Sequence, residues 1–600
     1  MDVGRHPKIK LLTYSEIESI TGYIGNFHVR VRKKARYVRE KDCTACGDCA
    51  KVCPVVVPDE FQIGLSSRKA IYIPFPQAVP ASSIIDMKSC LGINPVACGK
   101  CAEKCEKKCI DYDMKDETVE FDTGVVIVAT GMDVFDPAAL DEFGYTKFEN
   151  VITSIEFERL ISADGPSDGH FIRPGDKKRP KTVGFIQCVG SRSEKRGKPY
   201  CSNICCMNTV KDTLLLKDHY PDIEAKVFYI DMRAFGKGFE DLYKRSKEAG
   251  VRYIRGIPGE VLEDAATGNL SLLVEDTTAN KIEDHQFDMI VLSVGVTPRM
   301  DMADVQKLLT LSKTSDGFFM ELHPKLKPVD APTSGVFFAG CAEAPKDVKD
   351  SVTQASAAAA RAQTVLAAGR VKVEAITSEI NPELCRFCTV CAQSCPYKAI
   401  TVEPKKKTIS MVEAMCKGCG TCGAECRFGA IKMKHFTDEQ TIAQIDAHLE
   451  ENPFDKVIIF ACNWCSYAGA DTCGGARLQY PSSSRLIRTM CSGRVDESWV
   501  LHAFKKGAPM VVVSGCHYVD CHYIDANRWT QKRVEKLWDK LEKLGIRPER
   551  LLLEWISAAE GQRFSKTMWD IERIKKTVTK EEVEYTVKVL TEEEEKTVVG

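Results

Sequence analysis

Apolar and polar positions alternate early in the chain, in FHVRVRKKARYV, where Phe27, Val29 and Val31 are separated by polar residues as a half-buried strand requires. A continuous apolar run at 125–128 predicts a buried strand leading into Ala129, Thr130 and Gly131, and FDMIVLSVGVTPR at 287–299 repeats the pattern. In both, a small-residue turn follows the strand and lets the backbone approach a ligand closely. From 182 to 300, TVGFIQCVG, KVFYIDMR, VRYIRG and LSLLVED alternate with helical segments and predict a second, doubly wound α/β unit. At 336–339 a strand ends on Gly340, and an alanine-rich helix opens near 347–351. Such a turn presents helix N-terminal amides to a polar group, here a flavin ring; the competing reading is a packed core helix. KVIIFA and MVVVSG are buried-strand patterns, and the charged tail from 580 predicts a solvated strand or a disordered end.

Six hundred residues exceed one hydrophobic core and imply about three to five domains. With 83 Lys and Arg against 84 Asp and Glu, no basic field argues for nucleic acid. No apolar run reaches the length of a membrane span, and MDVGRHPKIK lacks the apolar stretch of a secretory signal. What changes the picture is cysteine: 28 of them, clustered, which in a reducing cytoplasm favours metal ligation over disulfides.

Cys43, Cys46, Cys49 and Cys53, followed by Pro54, have the spacing that wraps three thiolates on one cubane cluster and sends the fourth to another. The companion run is Cys90, Cys98, Cys101 and Cys105, with LGINPVA stretching its first gap. Cys43, Cys46 and Cys49 are paired with Cys105, and Cys90, Cys98 and Cys101 with Cys53. Cys109 falls where a ferredoxin usually places a small residue, and is read as a spare. Cys385, Cys388, Cys391 and Cys395, then Cys416, Cys419, Cys422 and Cys426, repeat the two-cluster pattern more cleanly, with zinc knuckles as the competing reading. Cys188, Cys201, Cys205 and Cys206 suggest a further cluster or a redox pair. Cys462, Cys465, Cys491, Cys516 and Cys521 follow buried strands, where α/β units build sites; His517 and His522 leave a mixed Cys/His zinc site open. A GxGxxG match at Gly418, Gly420 and Gly423 lies inside a cysteine run and is a false positive for dinucleotide binding.

HPKIKLLTYSE, GYIGNFHVRVRKKARYV, RKAIYIPFPQAVP, FIQCVGSR, YCSNICC and PKDVKDSVTQASAAAARA resemble the A subunit of heterodisulfide reductase. CNWCSYAGAD, MCSGRV and GCHYVDCHY resemble the delta subunit of the methyl-viologen-reducing hydrogenase, so the chain looks like a fusion of the two. The resemblance implies an α/β, thioredoxin-reductase-like flavoprotein fold with two ferredoxin domains and a C-terminal α/β 2Fe-2S domain. An incomplete FAD portion is expected at 1–40, 119–165 and 301–375, with a ferredoxin inserted at 41–118. A pseudo-nicotinamide domain follows at 166–300, a second ferredoxin at 376–440, the delta-like domain at 441–582 and a charged tail at 583–600. By the same resemblance, Cys188, Cys201, Cys205 and Cys206 hold an extra 4Fe-4S cluster, and the five delta-domain cysteines supply the 2Fe-2S ligands. Lys211 stands near the flavin N5 edge as the catalytic cation, and Thr130, Gly131, Gly340, Lys346, Asp347, Gln354 and Ala355 face FAD. About five 4Fe-4S clusters are expected. Cys473 lies outside the recurring motifs. The family's amino-terminal part with its GxGxxG is absent here, so FAD is expected to be shared with a partner chain that supplies the missing half.

The implied function is a cytoplasmic electron-transfer subunit of a methanogenesis-type complex. It would relay electrons from a hydrogenase or formate dehydrogenase to FAD, for bifurcation to ferredoxin and a disulfide such as the coenzyme M–coenzyme B heterodisulfide. Partners would be B- and C-type subunits in a dimeric multi-subunit assembly, with the disulfide-cleaving site on the B subunit. Two alternatives are a quinone-interacting membrane-bound oxidoreductase subunit of sulfate reducers and a non-catalytic iron–sulfur wire.

Overall fold

A computed structural model describes residues 2–92, 96–196, 198–372, 375–518 and 520–599. It leaves out 93–95 of the LGINPVA spacer and Val519 of GCHYVDCHY. Strands Ser15–Tyr23, Asn26–Lys33 and Glu117–Thr123 form an antiparallel sheet. Phe27, Val29 and Val31 are buried on one face, as the alternation requires. The second and third strands pair in register from Phe27 opposite Thr123 to Lys33 opposite Glu117. The cysteine-rich insertion therefore leaves and re-enters the sheet at one point.

Val126–Val128 pairs in parallel with Val336–Phe338, and these two strands form a sheet of their own. The apolar run at 125–128 is consequently not a buried strand: Val128 is buried, but Ile127 is 42% exposed. The helix Val348–Ala368 begins where its N-cap Asp347 accepts a 2.7 Å bond from the Asp350 amide. Of its residues only Ala358 and Ala362 are buried, while Val348 and Val352 are largely exposed, so it is not a packed core helix.

A parallel sheet follows in the spatial order Val151–Thr153, Met289–Val294, Thr182–Val189, Glu224–Tyr229 and Arg252–Arg255. Every residue of Met289–Val294 is buried, as for a strand covered on both faces. Two expectations change here. Strand Val151–Thr153 joins this sheet by pairing with Ile290–Leu292, so the boundary expected at 165 falls after, not before, the first strand of this unit. LSLLVED, at Leu270–Asp276, lies instead in a separate antiparallel sheet with Val261–Glu263 and Lys281–Phe287, its alternate residues buried.

The C-terminal domain is built on a parallel sheet ordered Ser484–Thr489, Val457–Cys462, Met510–Gly515 and Leu551–Trp555. The tail is neither strand nor disordered: Lys580–Val599 is a helix. Val583 and Leu590 are buried at helical spacing, and buried Arg550 donates to the Glu582 carbonyl (3.2 Å) and to Thr586 Oγ1 (2.5 Å). Among the described residues no helix is long and apolar enough to cross a membrane.

Leu590→Ala should cost the C-terminal domain about 2–3 kcal/mol, read as a lowered denaturation midpoint. A second expectation concerns Asp212, fully buried on helix Cys205–His219, where burial outweighs neighbouring Lys211 and pushes the carboxyl up to about 8. The folded state then favours the protonated form, so stability is lost as pH rises from about 4 towards 8. Asp212→Asn should flatten that part of an anaerobic melting-temperature profile.

Candidate metal centres

In the insertion, short helices Asp48–Lys51 and Lys100–Lys104 each start from a left-handed glycine, Gly47 (φ 78°) and Gly99 (φ 75°). That conformation suits glycine and turns the loop thiols inward. Cys43, Cys46, Cys49 and Cys105 line one cavity, and Cys109 lines it too. Cys53, Cys90, Cys98 and Cys101 line the other. Each cavity thus draws thiols from both halves of the domain. Tyr112 Oη lies 3.1 Å from Cys101 Sγ and Ser83 Oγ 3.7 Å from Cys49 Sγ. Burial pushes both thiols up, and these hydroxyls act against the shift.

The second cysteine-rich domain repeats the arrangement. Cys385, Cys388, Cys391 and Cys426 line one cavity. Cys395, Cys416, Cys419 and Cys422 influence one another's ionisation in a second group, where burial pushes Cys419 up to about 12. Ser378 Oγ lies 3.1 Å from Cys422 Sγ. Gly418 and Gly420 are left-handed here, and a Cβ at Gly420 would lie 2.4 Å from Arg494 Cδ. These glycines thus serve close packing in the cysteine loop and cradle no nucleotide.

Cys188, Cys201, Cys205 and Cys206 line a small cavity with Arg192, Arg233 and Asp231. The Thr182–Val189 strand slips register between Ile186 and Val189, and Cys188 takes a positive φ of 62° there. Burial raises the Cys188 thiol to about 11, with Arg192 pulling the other way. Nearby arginines favour thiolates.

At the carboxyl ends of the C-terminal strands, Cys462, Cys465, Cys491, Cys516 and Cys521 are all buried in one cluster. Cys462 and Cys516 Sγ are 3.9 Å apart. Cys473 sits in a different core and donates to the Leu478 carbonyl. His517 Nε2 is bonded to Glu560 at 2.8 Å, and the His522 ring stacks on Trp464 at 3.9 Å. His517 thus spends Nε2 on a carboxylate, while the face of His522 is held by an indole. The same buried cluster contains Tyr397 and Cys419 of the preceding domain, with Cys395 against it. Tyr397 is thus a joint between two thiol sites, and burial raises its phenol well above the usual range. Arg494, 1% exposed, locks this junction: it bonds Asp438 at 2.6 Å and lies 4.4 Å above the Trp499 ring.

The residues expected to face a flavin form a looser group. Lys346 pairs with Glu343, whose carboxylate also accepts from Gln354 Nε2 at 3.1 Å. Gln354 Oε1 is buried and has no partner among the described residues, the kind of orphaned acceptor a bound polar ring would use. Asn203 Nδ2 donates to the Pro345 carbonyl at 3.3 Å, tying this loop to the Cys188–Cys206 site. Gly131 and Gly340 are left-handed, whereas Thr130 and Ala355 are exposed. Lys211 Nζ pairs with Glu158 at 2.7 Å and Asp212 at 3.2 Å, and no described contact joins it to this group. Tyr397, Arg494, Ser378 and Tyr112 carry no sequence signal, since ordinary residue types gain a role only through placement.

Two families match the chain: "Methyl-viologen-reducing hydrogenase, delta subunit" over 457–577 and "4Fe-4S dicluster domain" over 377–427. The A subunit of the ferredoxin/F(420)H(2)-dependent CoB-CoM heterodisulfide reductase of Methanosarcina acetivorans is 42% identical over 571 residues, spanning 94% of this chain and 71% of that protein. The A subunit of the H(2):CoB-CoM heterodisulfide,ferredoxin reductase of Methanothermobacter thermautotrophicus is 47% identical over 452 residues, 75% of this chain and 67% of that one. T. acidophilum thioredoxin reductase superposes with a TM-score of only 0.27 at 13% identity, over 42% of this chain and 68% of its own, too slight a likeness to define the fold.

Cys462→Ser should remove iron from the C-terminal thiol group, whereas Cys473→Ser should leave the iron content unchanged. Iron analysis of anaerobically purified variants reads the difference.

Proposed function

The chain belongs to the heterodisulfide reductase A-subunit family, whose members are oxidoreductase subunits, and on that premise we propose that it is the iron–sulfur flavoprotein relay of such a complex. In this reading, electrons from a hydrogenase or formate dehydrogenase enter at the C-terminal five-thiol domain. They are delivered to a flavin for bifurcation between ferredoxin and the coenzyme M–coenzyme B heterodisulfide. The disulfide is cleaved on a B-type partner, with a C-type subunit beside it.

Bound 4Fe-4S clusters, a 2Fe-2S cluster and FAD would supply one-electron steps and pair splitting. The chain's own residues do the rest. Cys43, Cys46, Cys49 and Cys105 would hold one cluster and Cys53, Cys90, Cys98 and Cys101 a second. Cys385, Cys388, Cys391 and Cys426 would hold a third, Cys395, Cys416, Cys419 and Cys422 a fourth, and the Cys188–Cys206 set a fifth. The 2Fe-2S ligands would come from Cys462, Cys465, Cys491, Cys516 and Cys521. Lys346, Asp347, Gln354, Ala355, Thr130, Gly131 and Gly340 would face the flavin, and Lys211 would favour negative charge on its reduced ring.

One observation carries the reading: Tyr397 and Cys419 share a buried cluster with the five C-terminal thiols, so the entry site and the dicluster domain meet with water excluded. A specific observation favours the wire without flavin, namely the exposure of Thr130 and Ala355. A further chain or segment that supplies the other half of the flavin site would cover them. Anaerobic purification of the native assembly should give about 22 irons per chain and about one FAD. The same iron without FAD would leave the wire and remove bifurcation.

A further inference from the structure

The first cavity of the inserted domain is lined by one thiol more than a cubane has iron corners. Cys109 is 3% exposed and lines the cavity beside Cys43, Cys46, Cys49 and Cys105. Its Sγ lies 3.4 Å from that of Cys105. A turn with left-handed Lys108 (φ 50°) folds the chain back so that the two thiols share one side of the cavity.

The chain supplies its own comparison. Cys109 stands four residues after the closing cysteine of its motif, and the same step after Cys53, Cys395 and Cys426 reaches Val57, Ala399 and Ala430. The Ala430 amide donates to Cys426 Sγ at 3.3 Å, and the amides of Ala399 and Cys109 act on the Cys395 and Cys105 thiols in the same sense. The backbone thus does the same job after Cys105, Cys395 and Cys426. Only the motif that closes at Cys105 carries a thiol where the other three carry an apolar side chain. The cavity there, about 100 Å³ against about 30 Å³ for the one lined by Cys53, is bordered by all five thiols.

We propose that Cys109 is a reserve ligand for the corner that Cys105 closes, so that the first cluster site of the insertion can exchange one thiolate for another. The exchange breaks the iron–sulfur bond to Cys105 and forms one to Cys109. The Cys109 proton passes to the released Cys105 thiolate across the short Sγ–Sγ gap, and no electron is gained or lost. This rests on the reading of that cavity as a cubane site.

The test uses the full chain purified without oxygen, with iron and sulfide analysis and electron paramagnetic resonance. Cys105→Ala should keep the wild-type iron content, because Cys109 takes the corner. Cys105→Ala/Cys109→Ala should lose iron and show a three-iron signal. Cys53→Ala should behave like the double variant, because its cavity has no fifth thiol among the described residues. Cys109→Ala gives the residue type found in both motifs of the second cysteine-rich domain, so it should fold and retain iron. On mild oxidation it should give one more three-iron signal per chain than the wild type, a comparison that does not depend on Cys105→Ala folding. Iron loss in Cys105→Ala equal to that of the double variant, or identical oxidation of wild type and Cys109→Ala, overturns the proposal. Wild-type chain lacking iron at this site would instead overturn the cubane reading itself.

Discussion

Thiols gathered around one cavity must be held there against their own desolvation and mutual repulsion, and in the two dicluster-like domains no single cysteine loop supplies all four. Each cysteine loop of the two dicluster-like domains therefore opens its helix from a left-handed residue, Gly47, Gly99, Thr389 or Gly420. Each then borrows its last thiol from the opposite half. Ser83, Tyr112 and Ser378 place hydroxyls against buried sulfurs, offsetting part of the cost of confining them. The domains are small, with short strands and few apolar side chains, so thiol convergence is their core.

The junction with the C-terminal domain works differently. Arg494 buries a guanidinium between the two units, with Asp438 and the Trp499 face as partners, and Arg533 reaches Glu425 at 2.7 Å. A buried ion pair contributes little net stability over an apolar contact, but losing one partner is costly. Its value here is orientation: Gly420 leaves no room for a Cβ, so the arginine stem seats in one pose against the cysteine loop. That pose keeps Tyr397 between the two thiol groups.

Much of this was legible in the sequence, and the exceptions share a cause. Cysteine spacing is a local code, so the thiol sets could be read directly, as could the alternation of Phe27, Val29 and Val31. Strand membership is not local. Val151–Thr153 is apolar enough for either neighbouring unit, and only its pairing with Ile290–Leu292 assigns it. LSLLVED looks like any half-buried strand, whichever sheet receives it. The tail helix hid its period because Val583 and Leu590 are diluted by glutamates, and its binding site on Arg550 lies in a distant segment. Tyr397 and Arg494 had no signature at all, since their roles arise from the meeting of two domains.

The crossing of thiols between halves also has a consequence for biosynthesis. A ribosome releases Cys43, Cys46 and Cys49 well before Cys105, and Cys385, Cys388 and Cys391 before Cys426. One site of each domain therefore waits with three thiols in place and the fourth still to come, and the other waits with a single thiol, Cys53 or Cys395, until the second half is made. If these sets hold clusters as proposed, loading would be confined to the interval after the second half has folded back, and until then the open sulfurs would depend on the reducing power of their surroundings. In this topology the order of translation would set the earliest moment at which metal could be committed.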